Sequence, residues 1–254
     1  MKHLLSVLVL LLGTNIVWAQ APRIHVFVAL CDNVNQGIVP VPASLGNGQD
    51  PSRNLYWGAG YGVKTHFKRQ KNWQSLSVDS SQNPLILDRV AFRHGPSGGL
   101  MVAEAFDGAH MRETLEAYLL AASGATYDTI CVNGDKLAFG SGADLVAFVG
   151  HNGLMEVWPS GDFRARDSAA RKAIMLACYS KPYFESYMDT TGAQPLLWST
   201  HLMAPEAYVL ADALNAWLGD KPPAAVADAA AAAYHRYQKC GIRAARRLLV
   251  SGDE

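Results

Sequence analysis

The sequence has little charge and no excess of either sign. Lys plus Arg and Asp plus Glu each total 22 of 254 residues, and charged side chains make up 17%. That balance excludes the basic footprint of a nucleic-acid-binding surface and the polybasic face of a chain held on an anionic membrane. Cysteine is scarce too. The four present, Cys31, Cys131, Cys178 and Cys240, include no CxxC pair, which speaks against a structural zinc site. His66, His94, His110 and His201 have no ligand partner at helical or hairpin spacing, so no metal is expected. No run reaches the roughly 20 apolar residues of a membrane-spanning helix. Arg243, Arg246 and Arg247 cluster where cations complement the dipole at the end of a final helix.

What is present begins with an export signal. Lys2 and His3 precede a mostly apolar stretch over residues 4–17, and Val17 and Ala19 stand three and one before a cut after residue 19. Residues 1–19 are therefore expected to be a cleaved signal peptide, and the protein to be secreted or periplasmic. The nearest cysteine is Cys31, so the lipid-bearing cysteine of a bacterial lipoprotein is missing. Residues 20–254 read as one domain without a membrane span. Half of the chain is apolar, enough for a full core. Export permits disulfides, and four cysteines allow three complete pairings.

Strand patterns fall at residues 24–30, 87–93, 100–106, 145–149, 173–177 and 196–199. Helical patterns fall at 109–122, 164–172 and 181–188, from about 205 to 218, and from about 224 to 249 with a loosening at Gly241. Residues 24–30 (IHVFVAL) are apolar on both faces, as in a central strand of a parallel sheet. The alternation predicts an α/β fold, a three-layer sandwich with a mainly parallel sheet. Residues 32–63, rich in Gly, Pro and Asn, are too long for an ordinary connector and read as functional or mobile. Their aromatic and glycine-rich end at 54–62, Trp57 included, reads either as the wall of a substrate cleft or as packing over a sheet edge.

In open α/β sheets, chemistry lies beyond the carboxyl ends of the strands. The strand at 145–149 delivers His151 within Gly150-His151-Asn152-Gly153, and the strand at 173–177 delivers Cys178. The 19 residues from 154 to 172 suffice for one crossover (about 10–12 are needed), so the two strands can be neighbours. An imidazole beside a thiol can take its proton or stabilise the thiolate. Gly150 and Gly153 leave room for a carbonyl and offer backbone N–H groups to an oxyanion.

A hydrophobic strand ending in His-Gly, followed by one ending in Ala-Cys, resembles the signature of the caspase-like cysteine peptidases. The matching pieces are 145–149 with His151, and 173–176 with Ala177-Cys178. The resemblance implies a caspase-like fold and peptide-bond cleavage of peptide or protein substrates without metal or cofactor. It implies Cys178 as nucleophile, His151 as catalytic histidine, and the N–H groups of Gly153 and Cys178 as oxyanion hole. Asn152 departs from the pattern, because it stands where the family has glycine and displaces the donor. The family's preference for charged or polar substrate side chains makes Asp32, Thr200 and His201 candidate substrate contacts.

Two other readings compete. Gly95-Pro96-Ser97-Gly98-Gly99 fits the GxSxG of serine hydrolases, which requires a strand-to-helix elbow, but a strand pattern follows it here. An exported, catalytically silent α/β domain could instead bind a peptide or glycan through the 32–63 segment. Export also carries Cys178 to where thiols oxidise, and a Cys31–Cys178 bridge would silence the site.

Overall fold

The computed structural model describes residues 21–253. The signal peptide expected over residues 1–19 lies outside them. In chain order the elements are β1 (Arg23–Ala29), α1 (Val63–Arg69), β2 (Trp73–Leu76), β3 (Ile86–His94), β4 (Leu100–Phe106), α2 (Met111–Ser123), β5 (Tyr127–Val132), β6 (Asp135–Gly140), β7 (Leu145–Val149), β8 (Lys172–Leu176), α3 (Ser180–Thr191), β9 (Gln194–Ser199), α4 (Ala207–Trp217), α5 (Pro223–Gln238), α6 (Ile242–Leu248) and β10 (Leu249–Val250). Eight strands form one sheet in the order β10-β9-β8-β7-β1-β4-β3-β2, and β5 and β6 form a separate hairpin. The pairs β1–β4, β1–β7, β7–β8 and β8–β9 are parallel, while both edges are antiparallel. The fold is thus α/β with a mostly parallel sheet.

The continuous apolar runs are explained by burial on both sheet faces. Along β1, Ile24, Val26 and Val28 join a core with Phe67 of α1, Leu210 of α4 and Ala230 of α5. Phe27 and Ala29 point the other way, into a core with Leu115 of α2 and Phe184 of α3. The period of two along the strand therefore feeds two cores at once. Among the described residues no helix is long and apolar enough to cross a membrane.

Three expectations are corrected. Residues 164–172 form no helix, and the crossover from β7 to β8 is irregular apart from one 3-10 turn at Gly153–Met155. Asp162 accepts the N–H of Arg164 and Asp167 that of Ala169, side-chain turns that compete with helical hydrogen bonding. Arg171 is buried, and its guanidinium donates to the Ser141 carbonyl and to Asp167. The C-terminal helix is two helices, parted where Lys239 (φ 56°) and Gly241 (φ 87°) enter the left-handed region. The 32–63 segment is packed rather than loose. Asn54 is fully buried, donates to the Cys31 carbonyl at 2.8 Å and accepts the Cys31 N–H at 3.0 Å.

Candidate active site

The strands expected to be neighbours are neighbours. β7 and β8 pair in parallel from Leu145–Lys172 to Val149–Leu176, so His151 and Cys178 follow adjacent carboxyl ends. Both line one cavity of about 340 Å³, together with Cys31, Gly37, Ile38, Val39, Val41, Tyr56, Gly150, Met155, Leu202, Met203 and Pro205. The walls come from the segments after β1, β7, β8 and β9.

Cys178 sits on a strand-to-helix turn. Tyr179, the next residue, has φ 50° and ψ 34°, and α3 starts at Ser180. A non-glycine residue in this region is uncommon and costs backbone energy, so the surroundings must hold it. The holding network is a buried serine pair: Ser199 N–H donates to Ser180 Oγ at 2.8 Å, Ser180 N–H to Ser199 Oγ at 3.1 Å, and Ser180 Oγ–H to the Met175 carbonyl at 2.8 Å. Ser199 Oγ also donates to the Ala177 carbonyl. The Cys178 sulfur accepts the Met203 N–H and its thiol donates to the Met203 carbonyl, each at 3.4 Å, and among the described residues it makes no hydrogen bond with His151. No acceptor among the described residues takes the Cys178 N–H.

His151 is buried, and its Nε2 lies 2.8 Å from Glu156 Oε1. A carboxylate accepts only, so Nε2 is the donor, and in the neutral imidazole Nδ1 keeps its lone pair. Nδ1 has no protein partner among the described residues. The same Glu156 oxygen accepts the Gly37 N–H at 2.9 Å, tying the histidine turn to the segment after β1. Asn152 donates from Nδ2 to the Cys178 carbonyl at 2.7 Å and accepts the Leu154 N–H at 3.2 Å. It is the clamp between the histidine turn and the cysteine turn. The Gly153 N–H is used within its own turn, donating to the His151 carbonyl at 3.0 Å, so it is not free for the oxyanion role expected of it. A Cβ at Gly153 would come within 2.2 Å of Met111 Cγ, which accounts for glycine there.

The expected substrate contacts lie elsewhere. Asp32 is buried and accepts the Val34 and Asn35 N–H groups and the side-chain amides of Asn35 and Gln49, at 2.8–3.1 Å. Burial alone would raise its pKa, but these donors hold it below the usual carboxylate value. Trp57 is fully buried and donates from Nε1 to Asp88 at 2.8 Å. Thr200 donates to the Arg247 carbonyl and meets His201 Nδ1 at 2.8 Å. None of the four lines the cavity. Ser97 lies in the hairpin between antiparallel β3 and β4, 2.8 Å from His94 Nδ1. Since Leu100 pairs with Arg23 at the start of β1, this hairpin is at the end of the sheet opposite Cys178. The serine-hydrolase elbow is absent there.

Sequence reading passed over Glu156. Its signal was a carboxylate five residues beyond a turn histidine. Tyr56, within the 54–62 stretch read as a possible cleft wall, does line the cavity. All four cysteines are free. Burial pushes the Cys31 thiol up to about 11, against the opposing pull of the Tyr56 hydrogen bond. Comparison with family models, curated proteins and solved structures finds no match to this chain.

Proposed function

We propose that this protein is an exported, caspase-like cysteine peptidase, with Cys178 as nucleophile, His151 as general base and acid, and Glu156 as the residue that orients the imidazole. One observation carries the reading. Cys178 and His151 open into the same cavity from adjacent strand ends, with Nδ1 of His151 unengaged and Nε2 fixed by a carboxylate.

In this reading Nδ1 takes the thiol proton as sulfur attacks the peptide carbonyl. Glu156 stabilises the imidazolium that results, as the third member of a nucleophile, base and orienting group. The unpaired Cys178 N–H, at the N-terminal end of the 12-residue helix α3, donates to the developing oxyanion. Collapse of the tetrahedral intermediate passes the imidazolium proton to the leaving amine and leaves an acyl-enzyme. Water, deprotonated by His151, hydrolyses the thioester and restores the thiol. Asn152 keeps the two turns in register through the Cys178 carbonyl.

A library of unstructured peptides, with cleavage read by mass spectrometry, tests the assignment. Cys178→Ala should keep the melting temperature and lose all cleavage, and His151→Ala should lose at least about 10³-fold, as expected when members of one catalytic unit are removed. Cleavage by Cys178→Ala at the native rate would contradict it.

A further inference from the structure

The cavity that holds Cys178 and His151 has a composition that bears on its substrate. Of the side chains lining it, none is Asp, Glu, Lys or Arg. Ile38, Val39 and Val41 come from the segment after β1, Met155 from the turn after β7, and Leu202 and Met203 from the segment after β9. Three of these are exposed without a covering element: Val39 at 87%, Leu202 at 68% and Met155 at 40%. Single exposed apolar residues are ordinary, but here they converge on one concavity beside a thiol. The volume, about 340 Å³, is at the small end of ligand sites and admits one large side chain rather than an extended ligand.

The nearby charges do not enter this wall. The Asp32 carboxylate is saturated by four donors in its own loop, and Glu156 is engaged by His151 and Gly37. An Arg or Lys side chain placed in the cavity would lose water and find no carboxylate among the side chains lining it, a desolvation cost that an apolar side chain does not bear.

Resting on the peptidase reading above, we infer that this cleft selects substrates with a large apolar residue, such as Leu, Met or Phe, on the acyl side of the scissile bond, and that Leu202 is a specificity-determining residue at its rim. The preference departs from the charged or polar side chains that the family resemblance implies. It places the apolar side chain against Val39, Met155 and Leu202, and the carbonyl at the Cys178 sulfur.

Peptidyl acyloxymethyl ketones that differ only in the residue beside the ketone test this, with Leu, Phe, Asp and Arg compared. The Cys178 sulfur bonds to the methylene carbon as the carboxylate leaves, and the thioether is mapped by mass spectrometry. Leu and Phe probes should label Cys178 at least about tenfold faster than Asp and Arg probes, the ratio expected from burying a large apolar side chain. Leu202→Asp changes a mostly exposed residue and should leave folding intact, reduce labelling by the Leu probe and raise labelling by the Arg probe. Faster labelling by Asp or Arg probes in the native protein would overturn the apolar selection while leaving the nucleophile in place. If no peptidyl probe labelled Cys178 faster than it labels the denatured chain, the peptidase reading itself would fall, and the selection with it.

Discussion

Among the described residues two buried histidines are paired with glutamates, and their surroundings make them different devices. His25 in β1 lies within the sheet, its Nε2 3.0 Å from Glu104 Oε2, while its Nδ1 accepts the Gly140 N–H at 3.0 Å. Arg89 completes the set, donating from Nε to Glu104 at 2.7 Å. Both nitrogens of His25 are occupied and the carboxylate is neutralised, so nothing remains to move a proton. His151 has the same carboxylate contact, at 2.8 Å, but its second nitrogen is unengaged and a thiol shares its cavity. A His–carboxylate contact alone therefore says little about function. The state of the other nitrogen separates a structural pair from a reactive one.

The largest expected effect comes from breaking the structural pair. Glu104→Ala should destabilise the fold by about 3–5 kcal/mol in denaturant titration, because it leaves the largely buried Arg89 charge and His25 without their shared partner. Labelling of Cys178 under native conditions should not change. The pair also sets an acid response. Burial would raise the Glu104 pKa, but His25 and Arg89 prevail and hold it below its ordinary value. Its contribution is present above that ordinary value and is lost as pH falls below it. An unfolding midpoint in acid that Glu104→Ala leaves unshifted would show that the network contributes nothing.

The two thiols at the cleft give a second contrast. The Cys31 pKa is pushed from 9.0 to about 11 by burial, so an unfolded chain ionises this group before the folded one does. Stability should fall by roughly 2 kcal/mol as pH rises from 9 to 11, and Cys31→Ala should flatten that slope. An unchanged slope would mean that other groups govern the alkaline limb.

Breaking the pair proposed to be reactive should cost less stability and more chemistry. Glu156→Gln is expected to lower Cys178 labelling by about tenfold or more, consistent with the weight of acid–base positioning, and to change stability by less than about 1 kcal/mol at this part-exposed site. The smallest effect belongs to a histidine contact far from the cleft, His94 with Ser97. Ser97→Ala at the opposite end of the sheet should leave Cys178 labelling at the native rate; a loss there would reopen the serine reading.

Much of this arrangement was legible in the chain. The runs at 100–106 and 145–149 match their strands residue for residue, because strands buried on both faces are continuous in hydrophobicity. Crossover length allowed the histidine and cysteine strands to be neighbours, and they pair. The hairpin β5–β6 was missed although Asn133-Gly134, both at positive φ, is a strong hairpin signal. Its strands Tyr127–Val132 and Asp135–Gly140 carry too many polar residues to announce themselves. Within the site, Cys178 and His151 could be seen because each ends a strand. Glu156 could not, since its contact with His151 depends on a 3-10 turn that no periodicity marks. Trp57 and Asp32 read as cleft residues for their chemistry, whereas burial and hydrogen bonding assign them to holding the 32–63 segment together. Gly48 shows the same packing: a Cβ there would meet Asp32 at 2.4 Å, so cutting residues 46–51 should unsettle the fold rather than merely retune a surface loop.

The most direct test of the Cys178–His151 pair is the rate of alkylation at each cysteine by iodoacetamide near neutral pH, measured in a Cys240→Ser background because Cys240 is exposed. Cys178 should react at least about tenfold faster than in the denatured chain, as an activated thiol does, and Cys31 should stay unmodified. The excess should vanish in His151→Ala. Equal rates at Cys178 in the native, denatured and His151→Ala proteins would contradict the account and leave the cleft a binding surface with a part-buried thiol.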